Sequence, residues 1–392
     1  YSRAVEYSVG GGIMAGSRLL TGSGYRLKVP AIDLAEVGAG GGSIVWLDPA
    51  GALQVGPKSA GATPGPVCYG KGGTEPTMTD ACAILGYLNP NHLVGGDLPL
   101  NTELSKKVFA NKIAGPLGLE LEQAAYGAYE IASANMIRAI KSVSSERGRD
   151  PRDYVLFAFG GNGPLFAGAM AAILHMRRIL VPPAPGVFSA FGLLCAEVEH
   201  HYSQTLRRVL QSADPAELES SWNLLEEQAD HQLSVDGFPP VQRRLIRSAN
   251  MHYQGQIYEL SVPVPEGPID QAALQVLQDA FGDEHERTYG HRAGPDEPVE
   301  LVNLELVGQG LSTVSRVPEG LHAVQNTKQQ GTPRQAYFGR EHAWLDAPVI
   351  AREALSKPHS GPCIIEEYDA TCLVPPGGEA SLDDYGNIVI EL

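Results

Sequence analysis

The chain has 392 residues and a formal net charge of −16 at pH 7. Its length predicts two or three domains with sizeable hydrophobic cores, and its charge argues against nucleic acid or anionic membranes as partners. No apolar run is long enough to span a membrane, and no signal peptide is visible. The five cysteines include no C-x-x-C pair, so we expect a cytoplasmic protein without a disulfide framework or zinc knuckle.

Residues 1 to about 100 are rich in glycine and proline. The first residues alternate like a strand, which predicts that the chain is part of a longer or processed gene product. Strand-like pieces at residues 44–47 and 53–55 follow the glycine-rich loop 38–43, which indicates ordered loops rather than a linker. The N–H groups of loop 38–43 could bind phosphate, although a tight turn between strands explains the same residues.

The middle of the chain contains a strand–glycine–helix unit. Apolar residues at helical spacing predict a helix over residues 121–143. The unbroken apolar run 154–159 then predicts a strand covered on both faces. The chain turns at residues 160–163, and Pro164 suits the first position of a helix. Because a helix N-terminus attracts phosphate, this unit favours a nucleotide site, although glycine turns also occur for packing alone.

A second strand over residues 178–181 completes a pattern that predicts a mixed sheet with helices on its faces. The character of the sequence changes after about residue 205, which divides the chain into predicted domains 1–205 and 206–392. The second domain is predicted to be β-rich. Its expected elements are helices over residues 215–235 and 269–289, a hairpin with arms 245–253 and 257–264, strands near 299–307, 335–338, 363–367 and 388–391, and a linker over 312–331.

Several catalytic motifs are absent. The sequence has no G-x-x-x-x-G-K-[ST] loop, no dinucleotide-binding glycine fingerprint with its acidic residue, and no G-x-S-x-G elbow. Its close histidine pairs lack the spacing of metal ligands. Asp80 follows Thr77 in a pattern typical of a helix cap, with a role in the active site as the alternative. Cys68 is the cysteine to test as a nucleophile, although a buried thiol is the simpler interpretation.

Taken in order, these motifs resemble the hydantoinase A / oxoprolinase family over nearly the whole chain. The matching residues are His285 and the segments 38–43, 55–62, 64–70, 79–81, 146–152, 159–164, 253–256, 289–290, 298–300, 361–366 and 375–377. The resemblance implies an α/β fold: an actin-like, sugar-kinase-like (ribonuclease-H-like) ATPase domain without its N-terminal half, followed by a β-rich α+β domain. The chain would then be the C-terminal two-thirds of a subunit.

The family resemblance also implies a function. We expect ATP-dependent, ring-opening hydrolysis of a cyclic amide (a hydantoin, pyroglutamate or a lactam) through a phosphorylated intermediate. The alternatives are the ATP-handling subunit of a biotin-independent acetone or acetophenone carboxylase and a non-catalytic assembly subunit. The expected partners are a hydantoinase B-like subunit and the family's N-terminal phosphate-binding domain, and the expected cofactors are ATP and Mg²⁺, with the Mg²⁺ ligands outside this chain.

Site residues follow from the same resemblance. Asp80 would line the cleft as a catalytic residue. The residues expected to contact adenosine are Gly160, Gly161, Asn162 and Gly163, and those expected near the phosphates or substrate are Gly40, Gly41, Gly42 and Ser43. Two positions depart from the family pattern: Phe166 stands where a histidine is usual, and Asn162 where alanine is frequent.

Overall fold

The computed structural model describes residues 35–91, 93, 96–294, 297–312 and 332–392. Its helices are α1 (Met78–Ile84), α2 (Thr102–Phe109), α3 (Gly115–Leu117), α4 (Leu121–Val143), α5 (Gly163–Leu174), α6 (Phe188–Leu194), α7 (Pro215–Val235), α8 (Gln271–Tyr289) and α9 (Gly339–His342). The strand expected at the first residues and nearly all of the expected linker, residues 313–331, lie outside the described residues.

The strands of the described chain form five sheets. In chain order they are β1 (Ser43–Leu47), β2 (Leu53–Ser59), β3 (Leu156–Phe157), β4 (Arg178–Val181), β5 (Val198–Val209), β6 (Arg243–Tyr253), β7 (Leu260–Pro263), β8 (Val299–Gly310), β9 (Arg334–Tyr337), β10 (Trp344–Ala347), β11 (Val349–Ile350), β12 (His359–Ser360), β13 (Cys363–Glu366), β14 (Thr371–Val374), β15 (Glu379–Leu382) and β16 (Ile388–Glu391).

The predicted mixed sheet is present, with strand order β12-β15-β16-β4-β3. Strands β3 and β4 are parallel and are joined through α5, while β16 runs antiparallel to β4. The helices predicted over residues 121–143 and 215–235 are both confirmed with both of their ends. The predicted hairpin is also confirmed, since β6 pairs with β7, although β7 is shorter than the predicted arm. Sequence patterns therefore located β4 and β16 of this sheet and the helix α4, but not the strands β12 and β15.

The prediction of a strand covered on both faces over residues 154–159 is wrong. The strand β3 contains only two residues and lies at the edge of its sheet. The side chains of Tyr154, Val155 and Phe157 are 51%, 43% and 39% exposed, respectively. An unbroken apolar run is typical of a strand covered on both faces, but it does not distinguish such a strand from an edge strand beside an apolar cavity.

Two hydrophobic cores organise the described residues. The first contains α1, α4, α5 and β4, and it also takes in residues 336–390 at the end of the chain. The second lies where α7 and α8 cover the sheet β5-β8-β6-β7. The strand β5 continues past residue 205, and the division into domains 1–205 and 206–392 stays a prediction. Packing groups the last sixty or so residues with the first core because β16 pairs with β4.

A buried ion pair holds the end of the chain on this core. The guanidinium of Arg352 donates to both carboxylate oxygens of Glu367, at 2.6 and 2.7 Å, and each side chain is 6% exposed. It also donates to the carbonyl oxygens of Val181, Pro182 and Gly386. Burial raises the pKa of the Glu367 carboxyl, and Arg352 opposes that shift. One side chain thus joins three chain segments.

Replacing Arg352 tests this anchor. Because Arg352→Met leaves a buried carboxylate without its partner, we expect the free energy of unfolding to fall by about 3–5 kcal/mol, measured by urea denaturation. The matched control is Arg178→Met, which removes an exposed ion pair with Glu391 between β4 and β16 and should cost far less. Equal losses in the two variants would contradict the anchoring role.

Candidate nucleotide site

A cavity of about 620 Å³ lies between α4, α5, the loop before β1 and the edge strand β3. The side chains of Met136 and Ile140 from α4 and of Phe166 and Met170 from α5 give it apolar walls. Residues 154–159, the run that sequence analysis assigned to a covered strand, form another wall. An apolar cavity of this size with a few polar groups at one end is typical of a small-molecule or cofactor site.

The predicted glycine turn borders this cavity through Gly160, Gly161, Asn162 and Gly163. Gly160 has a φ of +85°, which favours glycine, and its N–H donates to the carbonyl oxygen of Pro185 at 2.7 Å. A Cβ atom placed on Gly160 would have no atom within 4 Å. The turn leads into the 12-residue helix α5, with Asn162 at the N-cap position but without a capping side-chain bond. Open space therefore faces a helix N-terminus, which fits a phosphorylated ligand.

The predicted loop 38–43 meets this turn from the other side. Gly40 borders the cavity, and a Cβ atom on it would also meet nothing within 4 Å. Its neighbour Gly41 is packed: its carbonyl oxygen accepts from the N–H of Thr79 at 2.8 Å and from the Thr79 hydroxyl at 2.9 Å. A Cβ atom on Gly41 would collide with the amide nitrogen of the Asn162 side chain. The two glycine segments, 120 residues apart in the chain, therefore touch at Gly41 and Asn162.

The rest of the loop, residues 41–43, lies outside the cavity lining. A Cβ atom on Gly42 would lie 2.8 Å from the hydroxyl oxygen of Ser59. Ser43 is 5% exposed, and its hydroxyl accepts from the N–H of Gly40 and donates to the carbonyl oxygen of Gly38, at 2.9 and 3.2 Å. These contacts give Ser43 the role of closing the loop. A ligand contact by Gly41, Gly42 or Ser43 stays a prediction, and none of the three lines the cavity.

Asp80 is fully buried and lies away from the cavity lining. Its carboxylate accepts five hydrogen bonds. The donors are the N–H groups of Val67, Cys68 and Thr77 and the hydroxyls of Thr77 and Ser105. With Thr77 it forms a complete capping box at the start of α1. This position favours the capping interpretation, and the catalytic role of Asp80 stays an untested prediction.

Removing this carboxylate should therefore lower the stability of the fold. Because Asp80→Ala leaves several buried N–H groups without an acceptor, we expect unfolding free energy to fall by about 3–5 kcal/mol in urea titrations. Asp214→Ala provides the control, since Asp214 caps the exposed start of α7 through one bond to Ala216 and should cost about 1 kcal/mol. A loss at Asp80 no larger than at Asp214 would show that the hydrogen-bonded carboxylate is not a structural anchor.

Phe166 and Cys68 are the remaining residues that the sequence analysis singled out. Phe166 is 3% exposed, lines the cavity and stacks on Tyr129 of α4, with ring centroids 4.7 Å apart and planes at 18°. The hydroxyl of Tyr129 donates to the carbonyl oxygen of Leu165. An apolar ring therefore forms this wall, where the family pattern has a histidine.

Cys68, the cysteine singled out as a possible nucleophile, is buried. Burial, followed by the nearby charge of Asp80, raises the pKa of its thiol, which favours an inert cysteine.

Sequence reasoning missed the wall that α4 contributes. Met136, Ile140 and Val143 were assigned to one apolar helix face, and the structure turns part of that face toward the cavity instead of a closed core. Ser144 and Arg149, just beyond α4, also border the cavity. Helical periodicity shows which side avoids water but not what occupies the space opposite. Among the described residues, no group of three or more His, Cys, Asp or Glu side chains could hold a metal ion.

Comparison with known protein families identifies the chain. Residues 1–202 match the hydantoinase/oxoprolinase family model, and residues 207–390 match the model of the hydantoinase/oxoprolinase C-terminal domain. The chain belongs to the hydantoinase/oxoprolinase family. The resemblance noted in the sequence is thereby confirmed.

Individual relatives agree with this assignment. The chain is 37% identical to caprolactamase subunit alpha of Pseudomonas jessenii, over 92% of this chain and 52% of that protein. It is 34% identical to the acetophenone carboxylase gamma subunit of Aromatoleum aromaticum, over 94% of this chain and 52% of the relative. The crystal structure of ATP-dependent caprolactamase from Pseudomonas jessenii superposes with a TM-score of 0.84 at 36% identity, over 94% of this chain and 54% of that chain.

The chain therefore spans about half the length of these relatives. The match to the caprolactamase structure confirms a mixed α/β fold, and the actin-like ATPase assignment stays a prediction. The family is one of ATP-dependent enzymes that includes subunits of multi-subunit complexes. Across the described residues, no helix has both the length and the apolar composition needed to cross a membrane.

Proposed function

We propose that this chain is part of an ATP-dependent enzyme that opens the ring of a cyclic amide. The observation that carries the proposal is the cavity lined by Gly40 from one loop and by Gly160, Gly161 and Gly163 from the other. A Cβ atom on Gly40 or Gly160 would meet nothing within 4 Å. The similarity to an ATP-dependent caprolactamase, at a TM-score of 0.84, supports the substrate class. ATP would transfer a phosphoryl group to the amide oxygen, which activates the amide carbon toward attack by water; the ring C–N bond then breaks, the nitrogen takes a proton, and phosphate is released, with ADP as the other product.

The residues of the cavity fit the parts of a nucleotide. Apolar side chains such as Met136, Ile140 and Met170 provide a surface for a flat base. Gly160 and Gly161 allow close approach of a ligand to the backbone because neither carries a Cβ atom. The first turn of α5 presents backbone N–H groups and the positive end of its dipole. In this proposal, Asn162 adds a side-chain amide that could donate to or accept from the ligand.

The proposal includes Mg²⁺ because metal ions neutralise the charge on the phosphates of ATP during phosphoryl transfer. A carboxylate set for it is expected outside this chain, as part of the phosphate-binding region that the family resemblance implies. The expected partners, a hydantoinase B-like subunit and that N-terminal domain, are proposed on the same grounds. The contribution of this chain would be to bind and orient the nucleotide and to exclude water with apolar walls, a role in which positioning matters more than a reactive side chain.

Gly161→Val tests the nucleotide assignment. A Cβ atom at Gly161 would lie 3.6 Å from its nearest neighbour, the carbonyl oxygen of Asp369, so the fold accommodates it. Because Gly161 lines the cavity, we expect the bulk of a valine there to reduce the room for the ligand. We expect ATP affinity to fall by about tenfold or more, which corresponds to an overpacking cost of about 1–3 kcal/mol. Isothermal titration of the native assembly with a non-hydrolysable ATP analogue measures this change.

A control substitution separates this effect from a general loss of structure. Gly192 lies in α6, outside the cavity lining, and a Cβ atom there would also meet nothing within 4 Å. We expect Gly192→Val to leave nucleotide affinity unchanged. If Gly161→Val bound the analogue as well as the unmodified protein did, the assignment of this turn to the nucleotide would be wrong.

The competing function is ATP handling in a ketone carboxylase, supported by 34% identity to an acetophenone carboxylase subunit. Turnover of ATP by the native assembly decides between the two. We expect stimulation by caprolactam, hydantoin or pyroglutamate and none by acetone or acetophenone with bicarbonate. Stimulation by a ketone plus bicarbonate alone would replace the amidohydrolase proposal with the carboxylase, and no stimulation by either group would favour a non-catalytic assembly subunit.

A further inference from the structure

A turn near the end of the chain lies against the glycine turn of the cavity. Residues 367–370 form this turn, closed by a hydrogen bond from the N–H of Glu367 to the carbonyl oxygen of Ala370 at 3.0 Å. Within it, a carboxylate oxygen (Oδ2) of Asp369 accepts a hydrogen bond from the N–H of Gly186 at 2.8 Å. The carbonyl oxygen of Asp369 faces Gly161 at van der Waals range, 3.6 Å from the position of an added Cβ atom.

The contact between Asp369 and Gly186 is close. A Cβ atom on Gly186 would lie 2.7 Å from the Asp369 carbonyl oxygen and 2.8 Å from its carboxylate oxygen. Glycine at this position therefore permits the backbone to reach the carboxylate. Next to it, the carbonyl oxygen of Pro185 accepts from the N–H of Gly160 at 2.7 Å. Two hydrogen bonds thus connect Asp369 to Gly160 through the two residues Pro185 and Gly186.

The two segments joined by the hydrogen bond between Asp369 and Gly186 are both contacted by the guanidinium of Arg352. Arg352 holds Glu367, two residues before Asp369, by the buried bidentate ion pair. The same side chain donates to the carbonyl oxygens of Val181 and Pro182, just before the segment that contains Gly186. The Asp369 carboxylate and its N–H donor therefore lie on two segments that share a single buried anchor, which restricts their relative motion.

From this geometry we infer that Asp369 is a positioning residue for the nucleotide cavity. By holding Gly186, it fixes the Pro185 carbonyl and, through it, the orientation of Gly160 at positive φ. The inference rests on the proposed nucleotide site, and it adds a residue from the last quarter of the chain that no motif of the glycine turn includes. The requirement is for a hydrogen-bond acceptor at residue 369 and not for a negative charge, because the donor is a neutral backbone N–H.

Two substitutions at this position separate the acceptor from its charge. Asp369→Asn keeps a side-chain oxygen that can accept from Gly186, and Asp369→Ala removes it. In the native assembly we expect Asp369→Ala to raise KM for ATP by about tenfold, the upper end of the usual scale for one lost hydrogen bond, with a smaller change in kcat. Asp369→Asn should stay within about twofold of the unmodified protein. Asp384→Ala, at an exposed position of a neighbouring turn, is the control.

Hydrogen–deuterium exchange provides a readout that does not need ATP. We expect faster amide exchange over residues 157–163 in Asp369→Ala, and unchanged exchange in Asp369→Asn and Asp384→Ala. A general loss of stability would instead lower the active fraction and kcat without raising KM, and it would speed exchange across the whole first core.

The outcomes decide the inference separately from the proposed function. Unchanged exchange over residues 157–163 in Asp369→Ala would overturn it, as would an equal rise of KM in the Asn and Ala variants. If exchange rose but KM for ATP stayed the same, the link to the nucleotide would be wrong. If the unmodified assembly did not bind ATP at all, the proposed function would fail, and the exchange data alone would still decide whether Asp369 holds the turn.

Discussion

The buried pair of Arg352 and Glu367 is the interaction on which the rest of this structure depends. Burying either charge alone is costly, so the pair persists only because the guanidinium meets both carboxylate oxygens and three further carbonyl oxygens. Those carbonyls belong to the last residue of β4, to the residue after it and to the turn before β16. The end of the chain is thereby held against β4 and the segment after it, which contains the Pro185 carbonyl that accepts from Gly160.

Glycines around the cavity serve two physical purposes. Gly40 and Gly160 face open space, as expected where a ligand approaches the backbone. Gly41, Gly42 and Gly186 are crowded by Asn162, Ser59 and Asp369, respectively, so glycine there permits one chain segment to pack against another. The same residue type therefore shapes the site in one place and holds it together in the next, and only the three-dimensional neighbours distinguish the two.

The cavity has features that would orient a ligand rather than react with it. Phe166 and Tyr129 stack to form an apolar wall, the carboxylate of Asp80 is engaged by five donors inside the protein, and burial holds the Cys68 thiol in its neutral form. The features that border the cavity are backbone N–H groups, a helix N-terminus, apolar walls and the residues Ser144 and Arg149. This inventory suits an enzyme that relies on the phosphoryl group of ATP rather than on a nucleophile of its own.

The sequence by itself determined the longer helices α4, α5, α7 and α8 and many of the strands, because 3.6-residue periodicity, apolar runs and glycine turns are local properties. It also determined the family and the two glycine segments of the candidate site. The tertiary structure alone decided that the run 154–159 supplies a two-residue edge strand with partly exposed side chains, that the Asp80 side chain is a buried anchor, and that the chain returns through Arg352 and Asp369 to the glycine turn. Each of these depends on contacts between residues far apart in the chain, which no local pattern records.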